Sequence, residues 1–269
     1  MPEGPSILIL SDACQQFVGR KVLQAEGNSK LIDPQRMQGR KVLEIRSWGK
    51  HLLLRFSGFS LRVHFMLFGS YRINERREAT PRLSLRFTNG ELNLYACSVH
   101  YIEEDLDQVY DWSGDVLSSD WDAGAAARKL RAHPGMLVCD ALLDQGIFAG
   151  VGNIIKNEVL FRIRLHPLST IGALPARKLR ELIEQARIYS FDFLAWRKIF
   201  MLKKNLLAHN RKTCPRCDLP FSRAHLGKTH RRAFFCTNCQ KLYGGVALTA
   251  GTIPARARRS ARAAASIVQ

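Results

Sequence analysis

Pro2 and Glu3, directly behind Met1, are the residues with the most direct chemical capacity. Methionine is usually removed before a small second residue, which leaves Pro2 as a free secondary amine at the chain start. Such an amine attacks an aldehyde-like carbon and forms a positively charged iminium, the logic of covalent amine catalysis. Glu3 adds a carboxylic acid beside it. The bland alternative is an ordinary mobile chain end. Deciding between the two requires a substrate and elements that would hold it.

The second constellation is Cys214-Pro-Arg-Cys217 and Cys236-Thr-Asn-Cys239, with eighteen residues between the pairs. Two Cys-x2-Cys pairs at this separation predict one structural zinc ion held by four thiolates. His225 and His230 lie between the pairs, but four cysteines already complete a tetrahedral site. The same stretch carries Arg223, Lys228, Arg231 and Arg232. A rigid hairpin with these cations suits insertion toward DNA, and a solvated basic loop explains them equally. Cys14, Cys97 and Cys139 stand alone and read as small buried hydrophobes. Seven cysteines without a visible secretory signal point to a reducing compartment and a metal site, not a disulfide framework.

The chain has 269 residues, 46% of them hydrophobic, which allows two compact domains with cores of their own. Its net charge of +18 implies a polyanionic partner. Nucleic acid leads, while a ribosome or an acidic membrane surface fits the charge as well. No run of eighteen apolar residues exists, so a spanning helix is excluded. A monomer in the bacterial cytoplasm, held near the nucleoid by DNA, is the expected setting.

Residues 5–18 read as a short helix opened by Pro5. Segments 41–46, 51–56, 60–65 and 70–73 read as strands. In 82–95, alternation on both sides of Asn89-Gly90 predicts a hairpin with a type I′ turn centred on those two residues. Residues 1–115 are therefore expected as a β-sandwich. Residues 120–205 are expected as an all-α domain, with helices over 122–132, 136–144, 153–162 and 175–197. On the last, Leu179, Leu182, Ile183, Ala186 and Phe193 form a core-facing stripe. Residues 206–243 form the finger, and 244–269 a basic, disordered tail. The turn Gly146-Ile-Phe-Ala-Gly-Val-Gly-Asn153 leads into a helix N-terminus. That is either a phosphate site or a helix–turn–helix packing corner.

Over about residues 1–241 the chain resembles the formamidopyrimidine-DNA glycosylase/endonuclease VIII family of base-excision repair enzymes. Four ordered motifs carry the resemblance: Met1-Pro-Glu-Gly-Pro5; Lys50 in Trp48-Gly-Lys-His-Leu-Leu53; Leu143-Asp-Gln with Ala149-Gly-Val-Gly-Asn153, Glu158-Val-Leu and His166-Pro167; and the four-cysteine finger. The resemblance implies an N-terminal β-sandwich, a helix–two-turn–helix domain and a zinc-finger hairpin, with double-stranded DNA carrying damaged bases or abasic sites in the cleft between them. It implies that Pro2 attacks C1′, that Glu3 is the general acid, and that Lys50 contacts phosphate and moves protons in elimination. It further implies that Asn153 binds phosphate, and that Arg231 binds phosphate and assists δ-elimination. Met66, Leu67 and Phe68 match the wedge that fills the space left by an everted nucleotide. A buried turn between core strands is their other reading.

Three consecutive wedge residues resemble the endonuclease VIII branch more closely, which favours oxidised pyrimidines over 8-oxoguanine. An oxidised-purine glycosylase on the same fold and a noncatalytic damage sensor are the alternatives. Pure binding has no use for Pro2, Glu3 and Lys50. Ser6 stands where many members carry a second glutamate, and Asp111-Trp112-Ser113 where some carry a DNA-contacting arginine. No binding role is carried to those positions.

Overall fold

Alternating apolar and polar residues in the first hundred positions fold as two four-stranded antiparallel sheets. The computed structural model describes residues 2–244; Met1 and the expected basic tail beyond Gly244 lie outside them. One sheet has the order β2-β3-β4-β8, from Glu44–Trp48, His51–Phe56, Phe59–His64 and Ser98–Ile102. The other has the order β1-β6-β7-β5, from Gln24–Glu26, Leu83–Phe87, Gly90–Tyr95 and Ser70–Ile73. Leu52, Leu54, Leu61, Leu85 and Leu92 belong to the core these strands enclose. Helix α1, Gly4–Cys14, opens with a proline in its first turn and adds Ile7, Leu10 and Cys14 to that core. It also packs against the last long helix, so it belongs to both halves of the molecule. Cys97 and Cys139 are buried too, as the small apolar residues expected.

The β6–β7 hairpin forms, but its turn is not the one expected. Phe87 pairs with Gly90, so Thr88 and Asn89 are the loop residues. Neither has a positive φ; Gly90 does, at +148°. Asn89 instead uses its side chain, donating to the Gln16 carbonyl at 2.8 Å. The Asn74 side-chain oxygen accepts the Glu91 N–H at 2.9 Å and fills the space a side chain at position 90 would need.

After a short helix α2, Leu106–Val109, the chain enters its helical half: α3, Ala123–Arg131; α4, Val138–Ala141; α5, Asn153–Arg162; and α6, Ala176–Lys198. Asp122 caps α3, accepting from the Gly124 and Ala125 amides. α4 is shorter than the expected 136–144 because Met136 and Val138 bond sideways, to Ile171 N and Ser169 O at 2.9 Å each. Asp144 then turns the chain by accepting the Gly146 N–H at 2.8 Å. The α6 stripe Leu179, Leu182, Ile183, Ala186 and Phe193 is buried, as its spacing predicts.

The finger hairpin pairs β9, Ser222–Leu226, with β10, Arg231–Phe235. Leu226, Ala233 and Phe235 enter the same apolar core as the helices. Its tip is tied down as well: the Asp140 carboxylate accepts from Lys228 N at 3.0 Å and Thr229 N at 3.4 Å. Arg223, Lys228 and Arg232 remain exposed on it. Glu158, fully buried, accepts from the backbone N–H groups of Leu207, Ala208 and His209 at 2.8–3.1 Å and so fixes the link into the finger. Replacing Glu158 by Gln sets an amide against three N–H donors. We expect a loss of about 3 kcal/mol in unfolding free energy, read by urea denaturation; a loss below about 0.5 kcal/mol would show the carboxylate to be dispensable.

Candidate active site and nucleic-acid interface

Glu3 is fully buried at the start of α1, and its carboxylate sits on the N-terminus of α5. It accepts from Gly152 N at 3.2 Å, Ile154 N at 2.7 Å and Ile155 N at 3.2 Å. A helix N-terminus offers unpaired amides and the positive end of the helix dipole, so it attracts an anion. The anion here is the chain's own carboxylate. This corrects the reading of the turn and the helix start behind it as a free phosphate site: the amides of Gly152, Ile154 and Ile155 are already taken.

The glycines permit this approach. A Cβ at Gly152 would overlap the Glu3 carboxyl carbon, and one at Gly4 would lie 2.8 Å from the Gly150 backbone. Gly4 N donates to Gly150 O at 2.9 Å, so the two backbones touch. The same turn meets Gly49, which lies next to Lys50 at the β2–β3 corner. Buried Asp115 holds that corner by accepting from Gly49 N at 2.8 Å and Leu117 N at 2.9 Å. Burial pushes the Asp115 carboxyl up, against those two amide bonds.

Lys50 and Glu3 feel each other's charge without a direct ion pair. Burial dominates both. It raises the Glu3 carboxyl, opposed by Lys50 and the three amides, and lowers the Lys50 amine, opposed by Glu3 and reinforced by Arg231. An acid moved toward holding its proton stands near an amine moved toward giving one up, the pairing that general acid–base work uses. Arg231, at the start of β10, also presses on Lys156 of α5, whose amine burial lowers to about 8.

Pro2 lines a cleft of about 1340 Å³ between the two halves, together with Ser6, Tyr71, Ile154, Phe200 and His209. Phe65 and Gly69 line it too and bracket the expected wedge. Met66, Leu67 and Phe68 are 53%, 45% and 88% exposed, which rules out the buried-turn reading. Phe65, at 2% exposure, anchors the loop by accepting the Gly69 N–H at 2.8 Å. Asn153 donates its side-chain amide to the Arg232 carbonyl at 3.1 Å. Asp111 is engaged by Lys129 at 2.8 Å.

The four cysteines lie apart from that cleft, packed with Phe161, Ala208 and Phe221. Their Sγ atoms all fall within 4.8 Å of one another, with contacts of 3.5–3.6 Å. Tetrahedral thiolates at about 2.3 Å from a zinc ion would stand roughly 3.8 Å apart, so the cluster fits a metal of that kind. Among the described residues neither His225 nor His230 joins it.

With this geometry in place, the comparisons with known proteins become specific. Residues 1–97 match the formamidopyrimidine-DNA glycosylase N-terminal domain and residues 114–188 match the formamidopyrimidine-DNA glycosylase H2TH domain. The chain belongs to the formamidopyrimidine-DNA glycosylase/endonuclease VIII family. Endonuclease 8-like 3 of Mus musculus is 30% identical over 73% of this chain, which spans only 34% of that protein. Endonuclease 8-like 2 of Bos taurus is 28% identical over 89% of this chain and 96% of its own length. The fold is that of Lactococcus lactis formamidopyrimidine-DNA glycosylase, solved non-covalently bound to DNA containing an AP site: TM-score 0.78 and 21% identity over 89% of this chain and 99% of that one.

Sequence motifs do not reveal Asp115, Lys156, Asn157 or His209 as parts of this arrangement, and they mark Glu158 without its task, since each acts through a partner far away in the chain. Burial holds His51 down at about 3, with His64 adding to it, and His209 down at about 4, with Lys156 adding to it. Both imidazoles are neutral in the fold, whereas the unfolded chain takes up protons below 6.5. Their stabilising contribution is complete above that value and is lost as pH falls toward 4. The thermal midpoint should therefore drop more between pH 6.5 and 4.5 for the native chain than for a His51→Gln/His209→Gln variant. Equal acid slopes would refute this.

Proposed function

We propose that the protein is a bifunctional DNA glycosylase and AP lyase that removes oxidised pyrimidines from double-stranded DNA. The observation that carries the reading is the placement of Pro2 on the interdomain cleft, with Glu3 locked behind it and Lys50 and Arg231 within electrostatic reach. In this reading the Pro2 amine attacks C1′ of an everted nucleotide, and the bond from C1′ to the base breaks. Glu3 protonates the sugar-ring oxygen, which opens the ring and leaves a Pro2 iminium. The iminium acidifies the C2′ proton, Lys50 accepts it, and the 3′ phosphate departs by β-elimination. Arg231 supports the second, δ-elimination by holding the remaining phosphate. Water finally releases the amine.

Met66, Leu67 and Phe68 would fill the vacated space in the duplex, and their exposure supports that role. Three apolar residues in succession, together with relatives named endonuclease 8-like, support the pyrimidine branch. The thiolate cluster would hold one zinc ion with a structural role, keeping β10 and Arg231 in place. Arg223, Lys228 and Arg232 on the finger, and the net charge of +18, support binding to duplex phosphates. The reading is of a monomer.

Borohydride should trap a covalent complex between the protein with a free Pro2 amine and a duplex containing an abasic site. A form that keeps Met1 holds Pro2 as an amide and should bind DNA without being trapped. Failure to trap with zinc-loaded protein of verified N-terminus would end the enzyme reading. Thymine glycol and 8-oxoguanine duplexes run side by side should show faster excision of thymine glycol; the reverse order would assign the purine branch. Gly152→Ala would push Glu3 off the α5 amides. We expect about a hundredfold loss in excision rate, measured in single turnover, with circular dichroism and the melting temperature reporting how much of the fold is kept.

A further inference from the structure

The carbonyl of Arg232, on the edge of β10 that faces α5, receives three side-chain donors: Asn153 Nδ2 at 3.1 Å, Asn157 Nδ2 at 3.3 Å and Lys156 Nζ at 3.4 Å. A carbonyl oxygen has two lone pairs. Asn157 fills one: its Oδ1 accepts the Phe234 N–H at 3.1 Å, while its Nδ2 is shared between Arg232 O, Asn153 O at 2.7 Å and His209 Nδ1 at 3.3 Å. Its amide thus completes the strand edge as a neighbouring strand would. Asn153 and Lys156 are left to share the second lone pair.

Neither is at rest there. The Asn153 side-chain oxygen is buried with no hydrogen-bond partner. Lys156 is only 1% exposed, and the long contact to Arg232 is its one hydrogen bond among the described residues. Its charge is compensated at a distance by Glu3 and Asp140, with Arg231 opposing. A buried ammonium with so few partners is costly, and so is a buried amide oxygen with none.

We infer that Lys156 is a positioning residue that exchanges with Asn153. When Asn153 turns to a DNA phosphate, Lys156 takes the vacated lone pair of the Arg232 carbonyl and keeps β10, with Arg231, docked. This rests on the DNA-binding role proposed above for Asn153. Without Lys156, turning Asn153 to the phosphate would leave one lone pair of that carbonyl without a protein donor. With it, both lone pairs of that carbonyl have a donor before and after.

The test is a double-mutant cycle on affinity for a duplex holding a tetrahydrofuran abasic analogue, which separates binding from chemistry. Lys156→Met should leave the DNA-free melting temperature and zinc content close to native, since Asn153 and Asn157 still serve the carbonyl. It should weaken binding by about five- to tenfold, the worth of one hydrogen bond. In an Asn153→Ala background the same change should cost less than about twofold, because no exchange remains to be supported. Lys156→Gln, which keeps a donor, should bind more tightly than Lys156→Met and covers the case in which the methionine variant folds poorly. Equal losses in both backgrounds would overturn the exchange and leave Lys156 an ordinary packing residue. Failure of the native protein to bind the duplex at all would overturn the proposed function instead.

Discussion

The carboxylate of Glu3 on the first amides of α5 is the interaction on which the rest depends. A carboxylate cannot be buried without partners, and three backbone N–H groups plus a helix dipole are among the strongest a protein can offer. The cost of taking Glu3 out of water is offset only at this one place. It brings the chain start to a turn about 150 residues away and sets Pro2 on the cleft. The backbone contact of Gly4 with Gly150 and the capture of Gly49 by Asp115 then bring the Lys50 corner to the same turn. The glycines are permissive here, and the carboxylates do the holding.

The same device recurs. Glu3, Asp115 and Glu158 are all buried, and each accepts backbone N–H groups from a distant segment. In a strongly basic chain the few internal acids are thus spent on joining loops to helices. Many of the arginines and lysines are left on the surface, free to meet an anionic partner.

Part of this was legible in the sequence. The cysteine spacing identifies the thiolate cluster, because a Cys-x2-Cys pair is a local geometric statement. The α5 and α6 boundaries follow from local periodicity, as does the β6–β7 strand pairing. Exposure of Met66–Phe68 is foreseen only by resemblance, since apolar residues between strands read equally as core. What sequence cannot display is which partner a polar group will find. The turn before Asn153 reads as an anion site, and it is one, yet nothing local says that the anion is Glu3. Asn157 and Lys156 read as unexceptional positions along α5, and Glu158 as part of a family motif with no stated task; only β10 and the 206–209 link, folded against them, give them one. The hairpin turn at 88–90 fails for a related reason. Asn89 prefers a tertiary bond to Gln16 over the local conformation its neighbour glycine would suggest.

Because Leu226, Ala233 and Phe235 belong to the helical core, the finger is not a detachable module hung on a finished domain. Its hairpin and the helices share one apolar interior, clamped by Asn157 on one edge and by Asp140 at the tip. Cooperativity follows: opening the thiolate cluster exposes the interior of the helical half as well, so the two melt as a single unit. A finger borrowed from another protein would have to bring matching apolar residues and matching edge contacts, and the same four cysteines would not suffice.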